Sequence, residues 1–219
     1  MNKVRLIFEK QGRTRFISHL DLLRCMQRSF RRAGIPIWYS QGFNPRAYIM
    51  FPLALSLGIS SRCEIMDIDL TEEMLPQEIM ERMNRILPEG MKILQAAKPV
   101  LKHTEITSAQ YEVQITNLQS SQELLESFQN FFQLEKIEID KLSKKKIPVR
   151  VDIKPQITVL DMQTEQDNLI ITLQLPAGSQ ENLNINLVFE AYENEIKTKL
   201  ENIWIERTKI LTQDGEVFL

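Results

Sequence analysis

Cysteine and glycine are scarce in this chain of 219 residues, and each scarcity argues against a class of protein. The two cysteines, Cys25 and Cys63, lie far apart and belong to no CxxC or Cys/His cluster, which argues against a disulfide framework and a structural zinc site. An iron–sulfur cluster needs about four thiolates, more than this chain contains. The seven glycines form neither a P-loop nor a dinucleotide-binding fingerprint. We therefore expect no metal site and no cofactor.

Long apolar runs are also missing. No stretch approaches the roughly 20 apolar residues that a membrane-spanning helix needs. The start of the chain alternates like a strand and lacks the apolar core and the cleavage site of a signal peptide. With 43% hydrophobic and 26% charged residues, the composition is typical of a soluble globular protein. We expect a cytoplasmic protein without a membrane partner.

Positive charge is concentrated at the start of the chain. The first fifty residues contain ten Lys and Arg against two acids, a local balance of +8 in a chain whose net charge is -2. Such an asymmetry indicates one surface that meets an anion and another that keeps the protein soluble. The ten basic residues are Lys3, Arg5, Lys10, Arg13, Arg15, Arg24, Arg28, Arg31, Arg32 and Arg46.

The second predicted element is a helix with two different faces. Ser18 stands three residues before Asp21, a variant of the capping box, so we expect a helix from about His19 to Ala33. Apolar residues recur on one stripe at helical spacing and are expected to pack on a sheet. Arginines at i, i+4 and i+7 form another stripe, which faces water or a partner. The arginine stripe consists of Arg24, Arg28 and Arg31.

The pattern in the first half of the chain predicts the order strand, helix, strand, strand, helix, strand. The pattern in the second half predicts a similar order. In the first half, Thr71 is expected to cap a helix through about Leu87. The order is typical of the split βαβ or ferredoxin-like arrangement, a four-stranded antiparallel sheet with two helices on one face. The sequence thus predicts an α+β protein of two tandem ferredoxin-like domains with antiparallel sheets, at residues 1–100 and 108–219. A single composite sheet running through both halves is the alternative.

The clustered arginines and lysines favour contact with the phosphates of a nucleic acid. A guanidinium binds planar anionic groups in bidentate fashion, and each phosphate contact adds to a salt-dependent affinity. A second basic stretch, at residues 141–154, extends this surface if it folds onto the same face. The alternatives are pairing with acids of the second domain and contact with a protein partner. The candidate nucleic-acid contacts are Arg13, Arg15, Arg24, Arg28, Arg31, Arg46, Lys144, Lys145 and Arg150.

The start of the helix and the turn after it offer smaller anchoring groups. Free backbone N–H groups near Ser18 and His19 favour an anion, and the turn with its Gly and Asn-Pro presents Gln41 and Asn44. Ser18, His19 and Asp21 do not form a catalytic triad, because capping engages two of them and adjacent helix positions point apart. We therefore expect no catalytic residue.

Four aromatic residues surround that turn, namely Trp38, Tyr39, Phe43 and Tyr48. Aromatic rings in a basic surface can stack on bases. Packing of these rings under their own loop is nevertheless the favoured interpretation.

The predicted third strand carries acidic rather than aromatic residues. Glu64, Asp67 and Asp69 lie along it, and we interpret them as an exposed acidic face rather than a divalent-ion site. RNA-binding sheets of the RRM type present aromatic residues on their central strands. RNA recognition through the sheet face is therefore not expected.

Three stretches of the first fifty residues resemble one known family. They are RFISHLD at 15–21, RRAGIP at 31–36 and YSQGFNP at 39–45, and the similarity continues through LALSLG at 53–58 and DIDL at 67–70. Together they resemble the bacterial radical SAM-linked proteins, the family known as DUF2344.

The resemblance implies a partner rather than a reaction. Members of that family occur fused to, or encoded beside, a radical SAM enzyme, and many lie near genes for ribosomal proteins and an RNA-processing nuclease. The expected function is that of a non-catalytic accessory protein of a radical SAM enzyme, which binds structured RNA such as rRNA or tRNA. A protein docking subunit for the same partner and a stand-alone RNA-modifying enzyme are the alternatives.

Overall fold

The computed structural model describes residues 2–116, 120–142 and 148–219. Strands and helices in the first half of the chain are β1 (Asn2–Lys10), α1 (His19–Arg32), β2 (Ile49–Met50), β3 (Ser60–Leu70), α2 (Pro76–Asn84) and β4 (Met91–Ala97). Those in the second half are β5 (Ile106–Thr116), α3 (Ser121–Gln133), β6 (Glu138–Leu142), β7 (Pro148–Asp152), β8 (Thr158–Glu165), β9 (Asn168–Pro176), α4 (Ile185–Ile196) and β10 (Ile203–Thr212).

One large sheet runs through both halves. Its strand order is β4-β1-β3-β10-β5-β9-β8, with the short β2 paired to β3, while β6 and β7 form a separate hairpin. Neighbouring strands are antiparallel except β3 and β10, which run parallel over the pairs Ser60↔Glu206 and Ser61↔Arg207. An α+β fold with a mostly antiparallel sheet is thus confirmed. The tandem ferredoxin-like arrangement is not confirmed, because the sheet continues from one half into the other, as in the alternative arrangement.

The alternation in β1 and the stripe on α1 meet in the first core. β1 buries Val4, Leu6 and Phe8 on one side of the sheet, and α1 packs on that side through Leu22 and Met26. The opposite side of α1 is therefore left to its charged residues.

The helix predicted from Thr71 begins later in the structure. α2 starts at Pro76, and Thr71 Oγ1 instead donates a hydrogen bond to the carbonyl of Pro36 at 3.2 Å. Proline suits the first turn of a helix because the N–H that it lacks has no helical partner there. α2 ends at Asn84, before the predicted end near Leu87.

The second core lies under α3 and α4. The side chains of Ser120 and Asn184 cap these helices by accepting hydrogen bonds from backbone N–H groups of the first turn. The Phe128 ring stacks on Tyr192 with 3.7 Å between centroids, and the Tyr192 hydroxyl donates to Ser127 Oγ at 2.8 Å. Each half therefore has a core of its own beneath its helix pair.

A buried charged cluster lies where the two halves of the sheet meet. Arg207 of β10 donates from Nη2 to both carboxylate oxygens of Glu64 on β3, at 2.6 and 2.7 Å. Lys10 of β1 is also buried, and its ammonium donates to the carbonyls of Arg15 and Ile17 at 3.3 and 3.0 Å. Burial lowers the pKa of Lys10, and the neighbouring Glu64 opposes that shift. The cluster thus ties β10 to β3 and fixes the turn that precedes α1.

Cys63, beside this cluster, is expected to be an unreactive thiol. Burial and the charge of Glu64 raise the pKa of Cys63 from 9.0 to about 11, so the reactive thiolate is scarce at pH 8. In a Cys25→Ser variant, iodoacetamide should modify the remaining thiol roughly 100-fold more slowly in the native protein than in urea. Equal rates in the two states would contradict the partial burial of this thiol.

The raised pKa of Cys63 also makes stability depend on pH. Between pH 9.0 and about 11 only the unfolded chain releases the thiol proton of Cys63, so the free energy of unfolding should fall over that interval.

Candidate nucleic-acid interface

A groove of about 580 Å³ lies between α1 and the turn at residues 39–47. Leu20, Leu23 and Tyr39 supply apolar surface to it. Among the residues that the structure describes, no acidic side chain lines it. The charged residues of this groove, called the arginine groove below, are Arg24, Arg28, Arg31 and Arg46.

α1 supplies three of these arginines because of their spacing. Arg24, Arg28 and Arg31 are four and three residues apart, which places them on one helix face. The helix is fixed at its start by Ser18, whose Oγ accepts the Asp21 N–H at 3.2 Å. The predicted arginine stripe is therefore present and exposed.

The fourth arginine, Arg46, comes from the turn, which hydrogen bonds close. The Ser40 N–H donates to the Arg46 carbonyl at 2.8 Å, and the Arg46 N–H donates to Ser40 Oγ at 3.0 Å. Tyr39 and Ala47 form a β-bridge next to them. The backbone of Arg46 is thus held opposite α1.

Acids of the second half do not neutralise the arginine groove. Within the described ranges, Arg24 is the one groove arginine in an ion pair, and its partner is Asp21 of the same helix at 3.0 Å. Both side chains are exposed, so this pair contributes little to stability. Hydrogen bonds from Ser18 and Arg24 hold the pKa of the Asp21 carboxyl below its ordinary value of 3.8. The groove as a whole therefore retains an excess of positive charge.

Two further predicted contacts lie on the turn before α1, outside the groove. Arg13 is exposed, and Arg15 is half-buried with its guanidinium 4.7 Å from the centroid of the Phe16 ring. A single-turn 3-10 helix, Gly12–Phe16, carries both arginines. They extend the basic surface past the start of α1 without joining the four arginines of the groove.

The predicted anchoring residues do not converge on one point. The hydroxyl of Ser18 is engaged in capping, and His19 packs edge-on against Phe51 with 5.3 Å between centroids. Gln41 and Asn44 are exposed in the turn but do not line the arginine groove. The structure does not unite these four residues in an anion site.

The second basic stretch belongs to the β6–β7 hairpin. Arg150 of β7 lies 3.7 Å from Glu138 Oε2 and 3.6 Å from Asp140 Oδ1, and it lines a cavity together with residues of α3 and α4. Lys144 and Lys145 lie outside the described residues. Arg150 and the arginine groove thus line different cavities.

The aromatic residues around the turn divide into packed and exposed rings. Trp38 and Tyr48 meet edge to face, with 6.3 Å between centroids. Phe43 is 106% exposed, and it follows Gly42, whose φ of 139° is rarely adopted by residues with a side chain. Packing under the loop therefore describes Trp38 but not Phe43.

The acidic residues of β3 are not exposed, contrary to the prediction from the sequence. Glu64 is buried in the charged cluster where the two halves of the sheet meet, and Asp69 is 3% exposed. Asp67 accepts hydrogen bonds from Nε and Nη2 of Arg5, at 2.7 and 2.9 Å. These acids are not an exposed face, and the described part of the chain contains no cluster of three or more candidate metal ligands. The available signal was charge complementarity, since Arg5↔Asp67 and Lys3↔Asp69 are paired positions. That signal can be used only once the strand register is known.

Comparison with known proteins gives one result. A family model described as an uncharacterised protein conserved in bacteria, DUF2344, matches residues 3–185, which include the whole arginine groove. A search of curated proteins finds no match. In the described ranges, no helix has the length and apolar character needed to cross a bilayer.

Proposed function

The chain belongs to DUF2344, a family described as uncharacterised proteins conserved in bacteria, and from its arginine groove we propose that it binds structured RNA, either rRNA or tRNA. We propose that it does so as a non-catalytic accessory protein of a radical SAM enzyme. Family membership names no ligand, so RNA binding rests on the groove and the enzyme partner rests on the resemblance.

The observation that carries RNA binding is the convergence of four guanidinium groups from two separate elements. Arg24, Arg28 and Arg31 come from α1 and Arg46 from the turn. Guanidinium forks match phosphate oxygens in bidentate fashion, and neutralised phosphates release their counterions. The groove is open, has a volume of about 580 Å³, and is lined by no acidic residue among those that the structure describes. Such a groove suits a row of phosphates better than one small anion.

Phe43 supplies a second kind of contact beside the groove. Its ring is fully exposed on the same turn that carries Arg46. Unpaired bases stack on aromatic rings, and each stack is worth about 1–3 kcal/mol. Phosphate contacts combined with one stacking ring favour an RNA that has a loop or bulge next to a helix.

The accessory role is supported by the way in which titratable neighbours of the groove are used. His19 packs on Phe51, and Asp21 accepts hydrogen bonds from Ser18 and Arg24. A general acid or base must be within reach of its substrate and free to exchange a proton. Neither residue lines the arginine groove, so on this proposal the chemistry belongs to the radical SAM partner.

Docking of a protein is the second candidate function, and exposed apolar side chains near the start of α1 favour it. Phe16, Leu20 and Leu57 are 59%, 62% and 59% exposed. A hydrogen bond of 2.9 Å from the Gly58 N–H to the Arg15 carbonyl joins the turn that carries Phe16 to the loop that carries Leu57. Apolar side chains beside arginines fit a partner surface that is acidic and partly apolar.

Co-purification separates the two candidates. RNA binding predicts that the tagged chain alone retains RNA from a lysate at low salt, whereas docking predicts that the radical SAM protein stays bound after nuclease treatment. The Arg28→Glu variant should retain clearly less RNA than the wild type. The matched control is Arg85→Glu, an exposed arginine at the end of α2, which should retain it. Absence of any retained RNA at low salt would eliminate the RNA proposal.

We also infer that each half is a split βαβ unit. The strand orders that support this inference are β4-β1-β3-β2 in the first half and β10-β5-β9-β8 in the second. In both, the first strand lies between the third and the fourth, as that motif requires. On this interpretation the β6–β7 hairpin is an insertion, and α1 and α2 cover one face of the first unit.

A further inference from the structure

A second cavity, of about 440 Å³, lies on the face of the sheet away from α1. Cavities of roughly 300–1,000 Å³ are typical of small-molecule sites. Residues of β1, β2 and β3 line it together with residues 98–104. Because side chains alternate along a strand, Lys3 and Arg5 of β1 line this cavity, while Val4 and Leu6 lie in the core. It is called the sheet-face cavity below.

Asp69 distinguishes the sheet-face cavity from an ordinary surface depression. It is 3% exposed, its Oδ1 is buried without a hydrogen-bond partner, and Oδ2 has none within the described ranges either. By contrast, the neighbouring Asp67 is held by Arg5. A buried carboxylate without donors is costly. A ligand that donates hydrogen bonds to Asp69 from the cavity removes that cost.

Three lysines border the same cavity, and they favour an anionic group. Lys3, Lys98 and Lys102 are exposed and line it, and they form no ion pair in the described part of the chain. Lys3 faces Asp69 in the strand register, yet the two make no salt bridge. Together with Arg5, four cations line the cavity against the two carboxylates of β3. The ligand should therefore combine hydrogen-bond donors at one end with negative charge at the other.

Tyr48 gives the cavity an aromatic wall. Its ring is 38% exposed and is braced edge to face by Trp38. Backbone hydrogen bonds connect both residues to the acidic strand, from the Tyr48 N–H to the Trp38 carbonyl at 2.9 Å and from the Trp38 N–H to the Asp69 carbonyl at 2.8 Å. A half-exposed ring that is held in place suits stacking on a planar base.

We propose that the sheet-face cavity binds a guanine nucleotide. Guanine presents two adjacent donors, N1–H and N2–H, and these suit the carboxylate of Asp69, which receives no side-chain hydrogen bond within the described ranges. Adenine and cytosine instead present an amino group beside an acceptor nitrogen, which a carboxylate repels. The base stacks on Tyr48 and the phosphate lies against the lysines.

This site is independent of the arginine groove, which lies beside α1. Its ligand has two sources with the same chemistry, a free nucleotide and a guanosine within an RNA strand. Arg28→Glu separates the two sites, because it should lower RNA binding through the groove and leave GMP binding unchanged.

Calorimetric titration of the full chain with GMP, AMP, CMP and UMP tests the proposal. GMP should bind at least about 10-fold more tightly than the other three, and Asp69→Asn should weaken GMP binding by about 10-fold or more. The matched control is Asp161→Asn, an exposed acid on β8, which should bind GMP like the wild type. The double variant Lys98→Ala/Lys102→Ala changes only exposed side chains. It should weaken binding of GMP but not of guanosine.

A short guanosine-containing oligonucleotide distinguishes the sources. Binding of GMP at least as tight as that of the oligonucleotide assigns the site to free nucleotides, and binding of the oligonucleotide alone assigns it to RNA. Both results support the site, provided that Asp69→Asn weakens the binding that is observed. The proposal is overturned if all four nucleotides bind equally tightly. It is also overturned if GMP binds the folded Asp69→Asn variant as tightly as it binds the wild type. So does failure of both GMP and the oligonucleotide to bind.

Discussion

Replacing Glu64 with glutamine is expected to lower the free energy of unfolding by about 3 to 5 kcal/mol. Glu64 is the carboxylate that faces the buried guanidinium of Arg207, and it also acts on the buried ammonium of Lys10. Without it, two cations remain in the interior, and the described part of the chain shows no other carboxylate paired with Arg207 or acting on Lys10. The loss is measured as the change in the free energy of unfolding from urea denaturation of the two proteins.

Two further variants show whether burial of charge causes that loss. Glu72→Gln removes an exposed acid and should change the free energy of unfolding by no more than about 0.5 kcal/mol. The double variant Glu64→Leu/Arg207→Met removes both charges of the pair and should recover part of the stability lost in Glu64→Gln. A loss in Glu64→Gln as small as that in Glu72→Gln would contradict a charged junction between the two halves of the sheet.

Reversing the charges of Arg28 and Arg31 together is expected to lower the affinity for structured RNA on the order of 100-fold at physiological salt. On the proposed function, this variant loses two phosphate contacts and places two negative charges in the groove, where they repel an RNA backbone. The affinity is measured by fluorescence anisotropy with a labelled tRNA at fixed salt concentration. Neither arginine is buried, so the variant should fold like the wild type.

The matched control changes net charge equally but outside the groove. Arg85→Glu/Lys92→Glu replaces two exposed cations, at the end of α2 and on β4. Its affinity for RNA should stay within a few-fold of the wild type. Equal losses in the two double variants would mean that overall charge, and not the arginine groove, governs the interaction.

Local features of the sequence predicted the elements around the groove. The alternation in the first strand, the cap at Ser18 and the spacing of Arg24, Arg28 and Arg31 each involve residues only a few positions apart. Propensity, capping and helical periodicity act over that distance. For this reason β1, α1 and the exposed arginine stripe could be predicted from the sequence.

Features that depend on distant residues could not be predicted. Glu64 and Arg207 are 143 positions apart, and their contact helps to join the two halves into one sheet. Asp69 looks like a surface acid until the β1–β3 register places it on a covered part of the sheet. Arg46 enters the groove only through the hydrogen bonds that close its turn. Strand pairing and loop closure fixed each of these positions, and neither leaves a local pattern in the sequence.

The salt dependence of RNA binding tests the arginine groove most directly. If all four arginines contact phosphates, the logarithm of the affinity should fall with the logarithm of salt concentration with a slope of about -3 to -4. Arg46→Ala, which removes one contact without touching α1, should reduce the magnitude of that slope by about 1. No binding of RNA at low salt, or a slope that Arg46→Ala leaves unchanged, would contradict the account.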